Sequence, residues 1–309
     1  MVYTVTLNPA LDRSLFVEKM VQGEANRICR EERYAGGKGV DVSRVLLELG
    51  VESIMLGFVG GFTGSELEGR LFNAGLTPNF VHISSETRTN IIIHTEEYKD
   101  YIFNAPGPEI RANEIGEFYK NIKHLQRPPS FAILSGSTPR GISPHIYAQL
   151  TLVFEGYGAR VVVDSSDEAL KESLKATPFM IKPNLREFSE LVGRKLETKE
   201  DVINEGKKIA GKDVALLIVS MKDDGAIAFW ENKVYKITPP KVEVKNTIGA
   251  GDSLVAGVVK GLTSGYSMTD SLKLGVACGT ATVTMTGTAL ANSDTTYDIL
   301  PDVKLEELI

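Results

Sequence analysis

Six short apolar runs are spaced along the chain, at 2–7 (V-Y-T-V-T-L), 54–59 (I-M-L-G-F-V), 131–134 (F-A-I-L), 160–163 (R-V-V-V), 179–181 (F-M-I) and 214–219 (V-A-L-L-I-V). Each is bounded by turn residues and rich in Val, Ile and Leu, so each reads as a strand buried on both faces. Between them lie amphipathic stretches. V-D-V-S-R-V-L-L-E-L, after the glycines at 36–39, is a helix closed by Gly50, and further helices are expected at 65–73, 112–125, 144–155, 168–174, 186–191 and 199–210. Strands joined by helical crossovers pair in parallel, which predicts an α/β fold with a mostly parallel sheet covered on both faces. A hairpin-like section over 225–238 interrupts this rhythm, and a helix is expected to begin near Leu254.

Two segments do not fit. Residues 11–33 and 86–103 carry short alternations such as S-L-F-V-E and T-R-T-N-I-I-I-H, the pattern of half-exposed strands. They read as a small projecting β-sheet, a lid over the carboxyl ends of the parallel strands, within a single domain spanning 1–309. The apolar face of such a lid needs burial against substrate or against a second copy, which predicts a homodimer joined through the lids.

The 309 residues carry a formal net charge of −6, with no cluster of cations suited to duplex nucleic acid. The two cysteines, Cys29 and Cys278, form no C-x-x-C pair and read as free thiols. No run of eighteen apolar residues and no basic-then-apolar leader occurs, so a cytoplasmic protein off the membrane is expected.

The chemistry concentrates in a few places. In N-T-I-G-A-G-D-S, from Asn246 to Ser253, two glycines precede an Asp and a helix. A G-x-G turn aims backbone N–H groups at one spot, and a helix start adds its own unpaired donors. Asp252 then either caps the helix or serves as a general base beside the amides of Gly249, Ala250 and Gly251. In G-G-K-G (36–39) three glycines allow a ligand close to the backbone and Lys38 offers a charge, unless this is a plain turn with a surface lysine. Arg88 and Asn90 in T-R-T-N share one face of a strand, suited to a phosphorylated sugar or simply solvated. In I-K-P-N-L-R-E, Asn184 and Glu187 form a capping box that could also hold the water shell of Mg2+, with Lys182 facing nucleotide phosphates. Asp12 could accept sugar hydroxyls.

In family order over nearly the whole chain, T-L-N-P-A-L-D, G-G-K-G-V-D-V-S-R, G-S-T-P-R-G (136–141), V-D-S-S-D-E-A-L, I-K-P-N-x-x-E and T-I-G-A-G-D-S resemble the ribokinase-like sugar kinases, the family named after the minor bacterial phosphofructokinase. The resemblance implies a three-layer α/β sandwich with a β lid, ATP and Mg2+ as cofactors, a phosphosugar acceptor and a homodimer. It implies phosphorylation of the 6-hydroxyl of fructose 1-phosphate, with fructose 6-phosphate and tagatose 6-phosphate as alternative acceptors. A non-catalytic sugar-phosphate sensor is the rival from another class; such a chain would lack the base or the loop glycines, and both are present.

Carried onto this chain, the resemblance makes Asp252 the base and Gly249, Ala250 and Gly251 the anion hole. It places Asp12, Gly37, Lys38, Asp41, Arg88, Asn90 and Ser137 on the phosphosugar, with Lys38 and Arg88 holding its phosphate. Lys182, Asn184 and Glu187 fall in the nucleotide and magnesium region, the last two acting on the metal through water. Ser220, Lys222 and Gly225 form the nucleotide loop, and Asn246 and Gly279 complete the nucleotide side. Three positions depart from the pattern. Asp41 stands where Asn is usual, and would repel a phosphate unless Lys38 or Arg88 offsets it. Arg140 replaces a proline, adding a cation near Ser137. Lys222 replaces a glycine.

Overall fold

The computed structural model describes residues 1–95 and 100–308, with the backbone alone at position 100. The chain opens with β1 (Val2–Thr6), β2 (Ala10–Val17) and β3 (Arg30–Gly36), followed by α1 (Lys38–Glu48) and β4 (Ser53–Gly60). Helix α2 (Gly61–Asn73) leads through β5 (Thr77–Pro78) and β6 (Val81–Ile83) to β7 (Arg88–Thr95) and β8 (Asp100–Phe103). Strict alternation follows: α3 (Ala112–Lys123), β9 (Phe131–Ser135), α4 (Ile146–Gly156), β10 (Arg160–Asp164), α5 (Asp167–Ser173) and β11 (Met180–Ile181). Two helices, α6 (Leu185–Val192) and α7 (Lys199–Ile209), precede β12 (Leu216–Ser220) and the hairpin of β13 (Ala226–Trp230) and β14 (Lys233–Thr238). Then come α8 (Ala250–Thr263), α9 (Met268–Thr284), α10 (Ser293–Ile299) and β15 (Lys304–Glu307).

The large sheet runs β15-β14-β13-β12-β11-β10-β9-β1-β4-β5, with β6 also paired to β4. From β12 to β5 every pairing is parallel, and β13, β14 and β15 add an antiparallel edge. Apolar side chains alternate between the two faces, which is why the strand sequences lack polar alternation. Val161, Val163, Leu217 and Val219 point to one core with Phe118, Tyr147, Phe154 and Phe188, whereas Val162, Leu216 and Ile218 point to another with Val45, Val255 and Ala281. Each fully buried Val, Leu or Phe contributes about 1.5–3 kcal/mol by leaving water, so helices on both faces are needed to fill both cores. The fold is a ribokinase-like α/β sandwich with a smaller mixed sheet beside it.

That smaller sheet has the order β3-β2-β7-β8. Its central pair, β2 and β7, is parallel and in a register that sets Asp12 opposite Asn90 and Ala10 opposite Arg88. The strand expected from Tyr98 starts outside the described residues and is seen from Asp100.

Several boundaries differ from expectation. Helix α2 begins four residues before 65, at Gly61. Helix α8 begins at Ala250 and not near Leu254, so Asp252 is inside its first turn and is not its N-cap. Strands β5, β6 and β15 were not expected: two are only two and three residues long, and β15 (K-L-E-E) is a charged edge strand that lacks a strand's apolar pattern.

Close packing of α7 onto the antiparallel edge rests on Gly206, where a β-carbon would lie 2.1 Å from Phe229 Cζ. Phe229 is buried and cannot swing away into solvent. Gly206→Ala is therefore expected to lower stability by about 1–3 kcal/mol, seen as a lower urea midpoint at unchanged slope. An unchanged midpoint would mean that α7 rides higher above the sheet.

Candidate active site

Parallel register brings Thr6, Ser135 and Asp164 side by side at the carboxyl ends of β1, β9 and β10. Asp164 is fully buried, with Lys38 Nζ 3.0 Å from its Oδ1 and Lys182 Nζ 3.5 Å from its Oδ2. Burial pushes the Asp164 carboxyl up, but Lys182 and Lys38 outweigh it and hold the group below the usual carboxylate range. Burial also works against the Lys38 ammonium, yet Asp164, Asp252 and Glu187 together keep it charged well above the usual lysine range.

Three glycines bring Lys38 there. A β-carbon on Gly39 would lie 2.4 Å from Thr6 Oγ1, and one on Gly36 would lie 2.1 Å from Asp12 Oδ2. Gly37 sits at φ 125° as the residue before α1, with Thr6 Cγ2 2.8 Å from where a β-carbon would be. The loop can thus press onto the strand ends only without side chains.

Across the crevice, Gly249 takes the left-handed conformation (φ 78°) ahead of α8. The first intrahelical bond runs from Ser253 N to Gly249 O at 2.9 Å, so the amides of Ala250, Gly251 and Asp252 precede the helix's own pairing; Gly249 is the N-cap, and the helix-start donors lie one residue on from the expected Gly249, Ala250 and Gly251. Lys182 Nζ would lie 3.0 Å from a β-carbon on Gly251, which places the ammonium against this turn. Asp252 is buried in the same turn. Burial first, then Asp164 and Asp41, raise its pKa to about 8, against the opposing pull of Lys38 and Lys182. The Asp252 carboxyl, the glycine turn and both lysines thus lie around one crevice.

The lid residues form a second group. Asn90 Nδ2 donates to Asp12 Oδ1 at 2.8 Å, and Asn90 Oδ1 accepts from Ala105 N at 3.1 Å. Burial raises the Asp12 pKa, with Asn90, Arg88 and Arg44 opposing. Arg88 is braced on two carbonyls, donating to Ala105 O at 2.8 Å and Asn8 O at 2.9 Å. Lys38 and Arg88, assigned together to one phosphate by the sequence, share no hydrogen-bond or ion-pair partner among the described residues. Asp41 is offset neither by Lys38 nor by Arg88 but by Arg44, one helical turn on, at 3.1 Å. Its pKa is pushed up to about 6 by burial, with Asp12 adding and Arg44 opposing.

Asn8 is a site residue that sequence reasoning passed over. Its Nδ2 donates to Pro106 O and to Ser137 Oγ, both at 3.2 Å, while its carbonyl receives Arg88. It ties Ser137, the segment at 105–107 and the lid arginine together. Asp164 was likewise missed as a residue. Both stand in quoted motifs, T-L-N-P-A-L-D and V-D-S-S-D-E-A-L, and the signal available was their place just at or after a strand's carboxyl end.

On the nucleotide side, Asn184 Oδ1 accepts from Glu187 N at 2.9 Å and Glu187 Oε2 accepts from Asn184 N at 2.8 Å, the capping box expected. An isolated bridge sets Asn184 beside Ser220. Lys222 adopts φ 52°, the left-handed region that costs a side chain about 1–2 kcal/mol, so the usual glycine is explained and the lysine is strained. Gly225 leaves no room for a side chain, with Ile237 O 2.0 Å from where a β-carbon would be. Asn246 uses its side chain internally, donating to Gly287 O and accepting from Ile248 N. Gly279 lies where α9 crosses α8, 3.1 Å from Ala250 O to a would-be β-carbon.

A family model described as pfkB family carbohydrate kinase matches residues 6–295. The chain belongs to this family. Membership carries ATP-dependent phosphoryl transfer to a sugar. The chain is 35% identical over 308 residues to 1-phosphofructokinase of Bacillus subtilis strain 168, covering 100% of both. It is 32% identical over 314 residues to a tagatose-6-phosphate kinase of Staphylococcus epidermidis, again covering 100% of both. Phosphofructokinase-2 from Escherichia coli, solved in complex with substrates and products, superposes with a TM-score of 0.92 at 29% identity, covering 97% of this chain and 98% of that one.

Family kinases use Mg2+, and among the described residues no cluster of three or more metal-ligating side chains exists. Glu187 is the buried carboxylate suited to the ion: one oxygen is fixed on Asn184 N, and the group lies close enough to act on the Lys38 charge.

The raised pKa of Asp252 makes stability depend on pH even without substrate. Between the ordinary aspartate value of about 4 and about 8, the folded protein holds a proton that the unfolded chain has released, so stability falls as pH rises across that window and levels off above it. Asp252→Asn removes this slope. The variant's Tm advantage over the parent is expected to widen from about pH 5 to about pH 8 and then stay constant; a difference independent of pH would contradict a raised pKa at this position.

Proposed function

We propose that the protein transfers the γ-phosphoryl group of ATP to the 6-hydroxyl of fructose 1-phosphate, giving fructose 1,6-bisphosphate and ADP. The observation that carries this reading is Asp252, a buried carboxyl of raised proton affinity in the first turn of α8, beside free amides and within the field of Lys38 and Lys182. The full-length similarity to the Bacillus subtilis 1-phosphofructokinase supports the choice of acceptor. The Staphylococcus epidermidis relative supports a second reading, in which the 1-hydroxyl of tagatose 6-phosphate is the acceptor.

Ionised Asp252 accepts the proton of the attacking hydroxyl as its oxygen bonds to the γ-phosphorus, while the bond to the bridging oxygen breaks and ADP leaves with the electron pair. The amides of Ala250, Gly251 and Asp252 donate to the transferring group, and Lys38 and Lys182 balance its charge. Mg2+, when bound with nucleotide near Glu187 and Asn184, supplies further neutralisation of phosphate charge. Asp12, Asn90 and Asp41 receive the sugar hydroxyls, with Gly37 giving the ring close access to the backbone, and Arg88 with Ser137 receives the phosphate already on the sugar. Asn184, Ser220, Lys222, Gly225 and Gly279 border the nucleotide, and Asn246 shapes its loop. Closure of the lid keeps water from the γ-phosphate. A second copy of the chain is the partner we infer for the lid, whose β8 exposes Tyr101, Ile102 and Phe103.

Steady-state rates with ATP and Mg2+ test the acceptor: kcat/KM for fructose 1-phosphate should exceed that for fructose 6-phosphate and tagatose 6-phosphate. An equal or lower value would overturn the ranking. Asp252→Asn should lower kcat by about a thousandfold while nucleotide affinity is kept, and near-normal turnover would remove Asp252 as base.

A further inference from the structure

Arg140 is the cation that the family pattern does not require, and the proposed reading above leaves it without a task. Its backbone is occupied: Ile110 N donates to Arg140 O at 2.9 Å, and a bridge joins Arg140 to Glu109. Its side chain is not. The guanidinium is exposed, with a single long contact from Nη2 to Gly107 O at 3.5 Å. It shares with Arg88 a cleft of about 470 Å³ bounded by Thr87, Ala105, Pro106 and Glu109.

Two guanidiniums therefore face one cleft, and among the described residues neither has a carboxylate within ion-pair distance. Two carboxylates, Glu86 and Glu109, are also on the wall; Glu86 Oε1 is turned to the first turn of α2, accepting from Thr63 N at 2.7 Å. Arg88 keeps unused donors: two of its N–H groups hold carbonyls, and its buried Nε has no partner. A phosphate accepts two guanidinium forks at once, so two arginines with unpaired donors on one cleft suit it even with carboxylates on the wall.

We propose that Arg140 is a second guanidinium for the phosphate already carried by the sugar, making it a specificity-determining residue of this chain. The proposal rests on the phosphosugar reading given above. Arg88, fixed on Asn8 and Ala105, forms the rigid half of the phosphate site. Arg140, fixed only through its backbone, forms the mobile half. Asn8 couples Arg88 to Ser137.

The test compares Arg140→Ala, Arg140→Lys and Arg140→Pro with the parent, measuring KM for fructose 1-phosphate, KM for ATP and kcat, together with inhibition by inorganic phosphate. Arg140→Ala and Arg140→Pro should raise the phosphosugar KM and the inhibition constant of inorganic phosphate by about tenfold each, with kcat and the ATP KM within about twofold of the parent. Arg140→Lys should recover part of the loss, because an ammonium restores charge but not the fork. A phosphosugar KM unchanged in Arg140→Ala, in a parent that turns over phosphosugars, would overturn the role of Arg140 and leave the functional reading intact. A parent that prefers an unphosphorylated ketohexose would overturn both.

Discussion

Asp164 is buried with two lysines against it, and the active crevice is organised around that contact. Lys38 arrives from the start of α1 and Lys182 from the end of β11, segments far apart in sequence that meet only because β9, β10 and β11 are consecutive neighbours in the sheet. Breaking a buried ion pair by removing one partner leaves an uncompensated charge, at a cost of about 3–5 kcal/mol. Asp164 thus fixes the positions of two cations that would otherwise need solvent. Asp252 and Glu187 add further carboxylates to the same field, more than two ammoniums can balance. The group that yields is Asp252, whose proton affinity is raised by burial and by the neighbouring carboxylates.

Backbone without side chains completes the arrangement. Gly39 and Gly36 let the α1 loop close onto Thr6 and Asp12, and Gly249 both turns left-handed and makes room for Leu290. A side chain at any of these positions would push a charged or donor group away from the crevice. The two glycine loops open α1 and α8, which share one core on the same face of the sheet, one carrying Lys38 and one carrying Asp252, so the distance between cation and base is set by main-chain packing and not by flexible side chains.

Much of this was legible in the sequence. The apolar runs gave the sheet because strands buried on both faces must be apolar throughout, and the broken rhythm at 11–33 and 86–103 marked the lid. The capping box at Asn184 and Glu187 was readable because it is local. Contacts set by register between distant strands were not readable. Asp12 faces Asn90, and Asn8 joins Ser137 to Arg88, only because β2 and β7 pair in parallel and bring the β1 end close to the loop at 136–141. The offset of Asp41 by Arg44 was within reach, since the two are three apart on a predicted helix. The start of α8 was misplaced because two glycines near a helix start look like loop, whereas here the second already belongs to the helix.

The central claim is that Asp252 takes the proton of the attacking hydroxyl. A crystal structure with fructose 1-phosphate and a non-hydrolysable ATP analogue tests it most directly. The account predicts the sugar's 6-hydroxyl oxygen within about 3 Å of an Asp252 carboxylate oxygen. A sugar hydroxyl facing a different group, with Asp252 still enclosed and out of its reach, would contradict it.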